Sequence, residues 1–223
     1  MKYITIIPAR GGSKRFPCKN VFSFLGKPLI AHSIEYSLKC NEIVHTFVST
    51  DDINIKNVSI QYGAEIIERP SELGSDFATS ADVMKNAVEQ LILKGLDFDY
   101  VILLQPTNPL RPLRLIKEAI EIVKETNIDS LMTVNRCELK LGKIINNHYH
   151  PWNYHYGQRS QDLEPLYYEN GLLYISSKKL LLQGKITSDE AYPMVVHHIF
   201  GTVDIDTRED LEYAEYVANR YAE

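Results

Sequence analysis

Apolar runs and helical stripes take turns along the chain. "YITIIPA" (3–9) reads as a buried strand that stops just before two glycines. Beyond "GKPL", residues Leu29, Ile30, Ser33, Ile34 and Leu38 fall near helical spacing. "VHTFVST" (44–50) is a second strand, "DDINIKNVSIQYG" a helix closed by Gly63, and "AEII" (64–67) a short third strand. Ser80 opens a helix whose apolar stripe is Val83, Met84, Ala87, Val88 and Leu91. "YVILLQ" (100–105) is a continuous apolar strand, followed by a proline-punctuated loop, a helix near 112–126 and the strand "SLMTV" (130–134). This alternation predicts an α/β fold, a mostly parallel sheet with helices on both faces. Right-handed crossovers then gather the functional loops at the carboxyl ends of the strands.

The pattern breaks between 136 and 170, where Tyr, Asn and His abound without a helical period. The segment reads as an arm or small β lobe inserted in a single domain spanning 1–223, not as a second domain. The sheet is expected to resume with "LLYISS" and "MVVHHIF". The last helix starts in "DTREDLEYAEYVANRYAE", where Thr207 and Asp210 form an S/T-x-x-D/E helix start.

Composition narrows the function classes. With 44% hydrophobic and 24% charged residues, 223 residues can bury a large core. No stretch approaches the ~18–20 apolar residues of a membrane span, and "MKYITIIPAR" is too short and wrongly flanked for a signal peptide, so a cytoplasmic protein is expected. Three widely spaced cysteines, Cys18, Cys40 and Cys137, fit neither a disulfide framework nor a zinc site. The net charge of −5 argues against nucleic acid as a partner. Against that background Arg10, Lys14, Arg15 and Lys19 crowd into "ARGGSKRFPCKN", which points to a small anionic ligand.

The basic loop follows the first strand, where ligands gather. Two adjacent glycines allow a tight turn with backbone N–H groups against a ligand, and arginine grips phosphate oxygens bidentately. The sequence matches neither a Walker P-loop nor a G-x-G-x-x-G fingerprint. A solvated basic turn is the plainer alternative. In "LLQPTNPLRP" (103–112) two prolines hold Gln105, Thr107 and Asn108, which suits recognition of a base or sugar and equally suits a simple strand-to-helix turn. In "VDIDT" (203–207) strand alternation puts Asp204 and Asp206 on one face, a pair able to hold Mg²⁺; Asp206 also fits as a helix cap. Thr79 and Ser80 fit ligand contact or N-capping, and Arg69 faces either the cleft or solvent. His148, His150 and His155 lack an H-x-x-x-H spacing, which leaves a metal reading there little support.

Taken together, "IIPARGGSKRFPCKN", "GKPLIAHSIEYSL", "VSTDD", "GAEIIERPSELGSD", "LLQPTNPLR", "NGLLYI" and "DIDTREDL" resemble, in this order, the acylneuraminate cytidylyltransferases, which include CMP-sialic acid synthetases and relatives for legionaminic and pseudaminic acids. The resemblance weakens between about 136 and 165. It implies a Rossmann-like nucleotidyltransferase fold, CTP as co-substrate, Mg²⁺ as cofactor, and a homodimer in which the arm completes the partner's sugar site. By motif, it implies that Arg10, Ser13, Lys14, Lys19 and Asn20 contact the nucleotide phosphates, with Arg69 and Ser80 also on the nucleotide. It places Gln105 at the cytidine–sugar junction, Arg111, Lys140, Arg159 and Asn170 on the sugar acid, and Asp204 and Asp206 on the metal, with Arg10 and Lys19 beside the reacting phosphorus. The chain departs from the family at Ser160, where an arginine commonly precedes Q-x-L-P and Arg159 stands one step earlier. Asn108 replaces the commoner serine of TSPLR.

The expected reaction is activation of a nine-carbon 2-keto sugar acid by CTP, giving a CMP-sugar and pyrophosphate. Rival readings are a related enzyme using an eight-carbon acid or GTP, a non-catalytic nucleotide-binding module, and a dinucleotide-dependent oxidoreductase. The missing glycine fingerprint weighs against the last.

Overall fold

The computed structural model describes residues 1–75 and 78–221. Asp76, which closes the "GAEIIERPSELGSD" motif, and the last two residues of the expected terminal helix lie outside the described residues.

The elements run β1 (Tyr3–Pro8), β2 (Ser23–Phe24), β3 (Lys27–Pro28), α1 (Leu29–Leu38), β4 (Ile43–Thr50), α2 (Ile53–Gln61), β5 (Glu65–Glu68), α3 (Ser80–Leu93), β6 (Tyr100–Leu103), α4 (Leu115–Thr126) and β7 (Ser130–Cys137). There follow β8 (Gly142–Ile145), β9 (His148–Pro151), β10 (Leu166–Ser177), α5 (Lys178–Leu182), β11 (Tyr192–Val195) and α6 (Arg208–Tyr221). A seven-stranded sheet has the order β11-β7-β10-β6-β1-β4-β5. Every neighbouring pair is parallel except those of β10, which runs antiparallel to both β6 and β7. The expected mostly parallel sheet, flanked by helices, is the one observed.

Strand alternation explains the two apolar layers. In β1, Ile4 and Ile6 face one side, where Met84, Ala87, Val88 and Leu91 of α3 pack. Tyr3 and Ile7 face the other side, where α1 and α4 contribute Ile30, Ile34, Ile116, Ile120 and Val123. A strand buried on both faces reads as an unbroken apolar run, which is why "YVIL" shows no alternation. A third apolar cluster holds the functional loops together. It joins Phe16 of the basic loop, Leu110 of the proline loop, and Val203 and Ile205 of "VDIDT" to Leu211, Ala214 and Val217 of α6.

Several boundaries differ from the sequence reading: β6 ends at Leu103, before Gln105, and β7 runs on to Cys137. α4 begins at Leu115, after a turn in which Leu115 N donates to Pro112 O (3.1 Å). The expected strand "MVVHHIF" contributes only Met194 and Val195 to β11; the His198 ring accepts from Phe200 N (3.2 Å) and starts a 3₁₀ turn over Ile199–Thr202. β10 begins at Leu166, well before "LLYISS", so the arm's last strand is continuous with the sheet. Within the arm, β8 and β9 form an antiparallel hairpin. Its apolar side chains are open to solvent: Ile144 is 78% exposed, and Trp152 just beyond it 60%.

Candidate active site

A cleft of about 560 Å³ opens at the carboxyl edge of the sheet, between the loops after β1 and β6 and the start of α3. Arg10, Ser13, Lys14, Lys19, Asn20, Arg69, Ser80 and Gln105, the residues expected around the nucleotide, all line it. Arg15, Thr107 and Asp206 complete its polar wall, with Val83 and Leu103 as apolar floor.

The basic loop is braced from behind. Asn20 Nδ2 donates to Arg10 O (3.0 Å), and Gly11 N donates to Asp51 Oδ1 (3.1 Å). Gly11 N–H is therefore spent on protein, not held out to a ligand as the paired glycines had implied. The glycine is needed for another reason: a β-carbon there would lie 2.7 Å from the Asp52 carboxylate. That carboxylate is itself fixed, accepting from Asn54 N and Ile55 N as the N-cap of α2. Asp51 and Asp52 were not singled out as site residues from the sequence. Their signal is "VSTDD" at the end of β4, the strand beside β1, which brings both acids to the same sheet edge.

Asp206 turns toward the cations. Its carboxylate accepts from Lys19 Nζ (2.8 Å) and Arg15 Nη2 (2.5 Å), while the Lys19 ammonium also donates to Ile205 O (2.8 Å). The helix cap is Thr207 instead: Asp210 N donates to Thr207 Oγ1 (3.2 Å), and the Asp210 carboxylate accepts from Asp206 N and Thr207 N (2.9 and 2.8 Å). The segment forms no strand, yet its alternation holds, with Val203 and Ile205 buried and Asp204 and Asp206 facing outward. Burial of part of the Asp204 carboxyl raises its pKa; the nearby Thr107 hydroxyl opposes this and the negative neighbour Asp206 adds to it.

Arg69 is a buried cation. Its Nη2 donates to Ser49 O (2.7 Å), and burial pushes the guanidinium down to about 10, with Asp51 working against that and Arg10 with it. It stays charged at neutral pH. Ser80 is the first residue of α3 and does not cap it. Thr79 and Asp82 form the capping box (3.1 Å each way), leaving Ser80 on the cleft wall.

The residues expected on the sugar divide. Gln105 lines the cleft. Arg111 does not: it lies beneath the proline loop, donating to Leu172 O (2.7 Å), Ser33 Oγ (3.0 Å) and Gln105 O (2.8 Å). Asn170 is buried at a bulge of β10, where it donates to Asn135 Oδ1 (2.8 Å) and accepts from Thr133 Oγ1 (2.6 Å). Asn108 is also internal, at 1% exposure, so it does not present a side chain to a base or sugar. Lys140 and Arg159 sit on the arm away from the cleft. Lys140 donates to Gln158 O and lies 5.3 Å from the centre of the Tyr154 ring, and Arg159 pairs with Asp162 (2.7 Å).

The chemistry on offer is a polyphosphate grip. Arg10, Lys14, Arg15, Lys19 and Arg69 converge on one cleft of an acidic protein together with the Asp206 carboxylate, while Asp204, expected beside it on a metal, is not among the residues that line the cleft.

Comparison with known proteins agrees with this geometry. The family described as "Cytidylyltransferase" matches residues 4–221. The pseudaminic acid cytidylyltransferase of Campylobacter jejuni is 35% identical over 221 residues, covering 96% of this chain and 95% of that protein. The CMP-N,N'-diacetyllegionaminic acid synthase of Legionella pneumophila is 37% identical over 231 residues, with the same coverage of 96% and 95%. In fold, the chain superposes on a CMP:2-keto-3-deoxy-manno-octonic acid synthetase solved with CTP, with a TM-score of 0.72, 16% identity and 99% of each chain covered. This chain belongs to the cytidylyltransferase family.

Proposed function

We propose that this protein transfers the cytidylyl group of CTP to the anomeric hydroxyl of a nine-carbon 2-keto sugar acid of the sialic, legionaminic or pseudaminic type. The hydroxyl oxygen forms a bond to the α-phosphorus, the bond to the β-phosphate oxygen breaks, and pyrophosphate leaves. The observation that carries this reading is the convergence of the five cations with Asp206 in a single cleft; the names of the relatives supply the acceptor class.

In such a transfer, charge grows on phosphate oxygens, so fixed donors and alignment do most of the work. Arg10 and Lys19 are assigned to the α-phosphate, with Lys19 held in place by Ile205 O and Asp206. Lys14 is assigned to the outer phosphates, and Ser13 and Asn20 to orienting the chain of phosphates. Arg69 and Ser80 lie at the nucleoside end, Gln105 between nucleoside and acceptor. Asp204 and Asp206 suit Mg²⁺ as oxygen donors: burial first, and the neighbouring Asp206 charge after it, raise the Asp204 carboxyl, and a divalent cation there would favour its ionised form. Bound there, Mg²⁺ would neutralise triphosphate charge and acidify the acceptor hydroxyl.

The arm belongs to the same reading. Its exposed aliphatic and aromatic side chains fit a homodimer in which Lys140 and Arg159 reach the partner's sugar acid. The test is pyrophosphate release from CTP and the other nucleoside triphosphates, against sialic, legionaminic, pseudaminic and eight-carbon 2-keto acids. Turnover with CTP and a nine-carbon acid is expected. Preference for GTP or for the eight-carbon acid, or tight CTP binding without turnover, rejects it.

A further inference from the structure

Asn108 spends its whole side-chain amide inside the fold. Nδ2 donates to Val203 O (2.8 Å) and to Asn170 O (3.2 Å), and Oδ1 accepts from Thr107 Oγ1 (3.3 Å). The two carbonyls belong to different functional segments. Val203 heads the segment that carries Asp204 and Asp206, and Asn170 opens the bulge at which β10 changes register against β7. Asn108 itself sits on the loop that carries Gln105.

The fit is close. Gly171 has φ +73°, and a β-carbon there would lie 2.8 Å from Asn108 Oδ1, so the bulge is shaped around this amide. A backbone bond from Ile205 N to Thr107 O (2.8 Å) repeats the link between the proline loop and the acidic segment. No other side chain of similar size does the same job. An amide nitrogen offers two N–H donors in one plane; serine offers one, alanine none, and aspartate turns lone pairs toward two carbonyls. Carbonyls freed at a buried site stay unsatisfied.

We propose that Asn108 is a positioning residue for cytidylyl transfer, locking the proline loop, the β10 bulge and the acidic segment into one register so that acceptor and α-phosphate stay aligned. The proposal rests on the function proposed above. Alignment errors of about 1 Å cost on the order of 100-fold in rate, and a three-way tie is the device that limits them here.

The test uses the full-length protein with CTP and the best acceptor of the panel. Asn108→Ala is expected to lower kcat about 100-fold while CTP affinity, measured by calorimetry, stays within about threefold. Asn108→Ser, which keeps one donor, is expected to recover about tenfold of that loss. In an Asp206→Ala background, Asn108→Ala is expected to add less than about threefold, because both act through the same segment. Unchanged kcat overturns the proposal. So does a loss of kcat that tracks loss of folded protein in thermal melts, including failure of both variants to fold, since Asn108 would then serve stability alone. Failure of the unsubstituted protein to turn over any member of the panel is a separate result, and it removes the functional reading itself.

Discussion

Lys19 and Asp206, 187 positions apart in sequence, meet at 2.8 Å with the ammonium buried and the carboxylate at the cleft wall. One loop supplies the cation and another the anion, so the pair closes the cleft's inner corner. Lys19→Met is expected to reduce kcat/KM by about 100-fold or more, the scale of losing a transition-state donor. It also leaves Ile205 O without its donor, so a lower thermal midpoint should accompany it. Full activity in steady-state assays of this variant would remove Lys19 from the reacting phosphate.

Asp204 gives a prediction with a sign. Its folded-state pKa is raised by partial burial and by Asp206, so the folded protein holds this proton more tightly than the unfolded chain. Stability therefore falls as pH rises through that range, and the ionised carboxylate is a standing cost near pH 7. Asp204→Asn is expected to raise the thermal midpoint near pH 7 while reducing turnover. The gain should vanish below about pH 4, where the acid is protonated in both states. Melts of both proteins across pH check this; a gain that persists in acid would assign it to packing.

Much of this was legible beforehand. Helical stripes and apolar runs located the layers because burial on two faces leaves a strong pattern, as in β6 and α3. The cleft residues were legible because a strand end followed by clustered cations has few structural uses. Arg111, Asn170 and Asn108 were legible as polar residues in motifs, but not as internal staples. A motif records that a polar group is needed and does not say whether its partner is a ligand or a carbonyl 60 to 100 residues away, as at Leu172, Asn170 and Val203. Asp51 and Asp52 escaped notice for a related reason: their role rests on their contacts with Gly11, which only the sheet order brings near.

Asp51 ties the basic loop and supports the charge of Arg69. Asp51→Asn keeps the shape and removes the charge. It is expected to raise the KM for CTP about tenfold with kcat little changed, the split that marks lost ground-state binding. Calorimetry with CTP should show the same weakening. An unchanged KM would mean that Gly11 and Arg69 are held well enough by Asn20 and Ser49.

The exposed hairpin gives a test of assembly. On the proposed homodimer, the unaltered protein sediments as a dimer and replacing 142–151 with a short Gly-Ser turn yields a monomer. CTP affinity should stay within about threefold, with sugar-acid turnover lost. A truncated protein that remains a dimer, or keeps turnover, would place the interface elsewhere.

β10 has two lives along its 12 residues: its first part leaves the arm and its last part lies between β6 and β7 in the middle of the sheet. From Leu166 to Asn170 is roughly 13 Å at about 3.3 Å per residue. An extended strand resists stretching, so in the proposed homodimer a pull or tilt on the arm would be delivered to the Asn170–Gly171 bulge with little slack. In mechanical terms the arm and the bulge form a lever with its fulcrum in the sheet, and in the proposed homodimer subunit contact would become a force felt at the bulge that Asn108 ties.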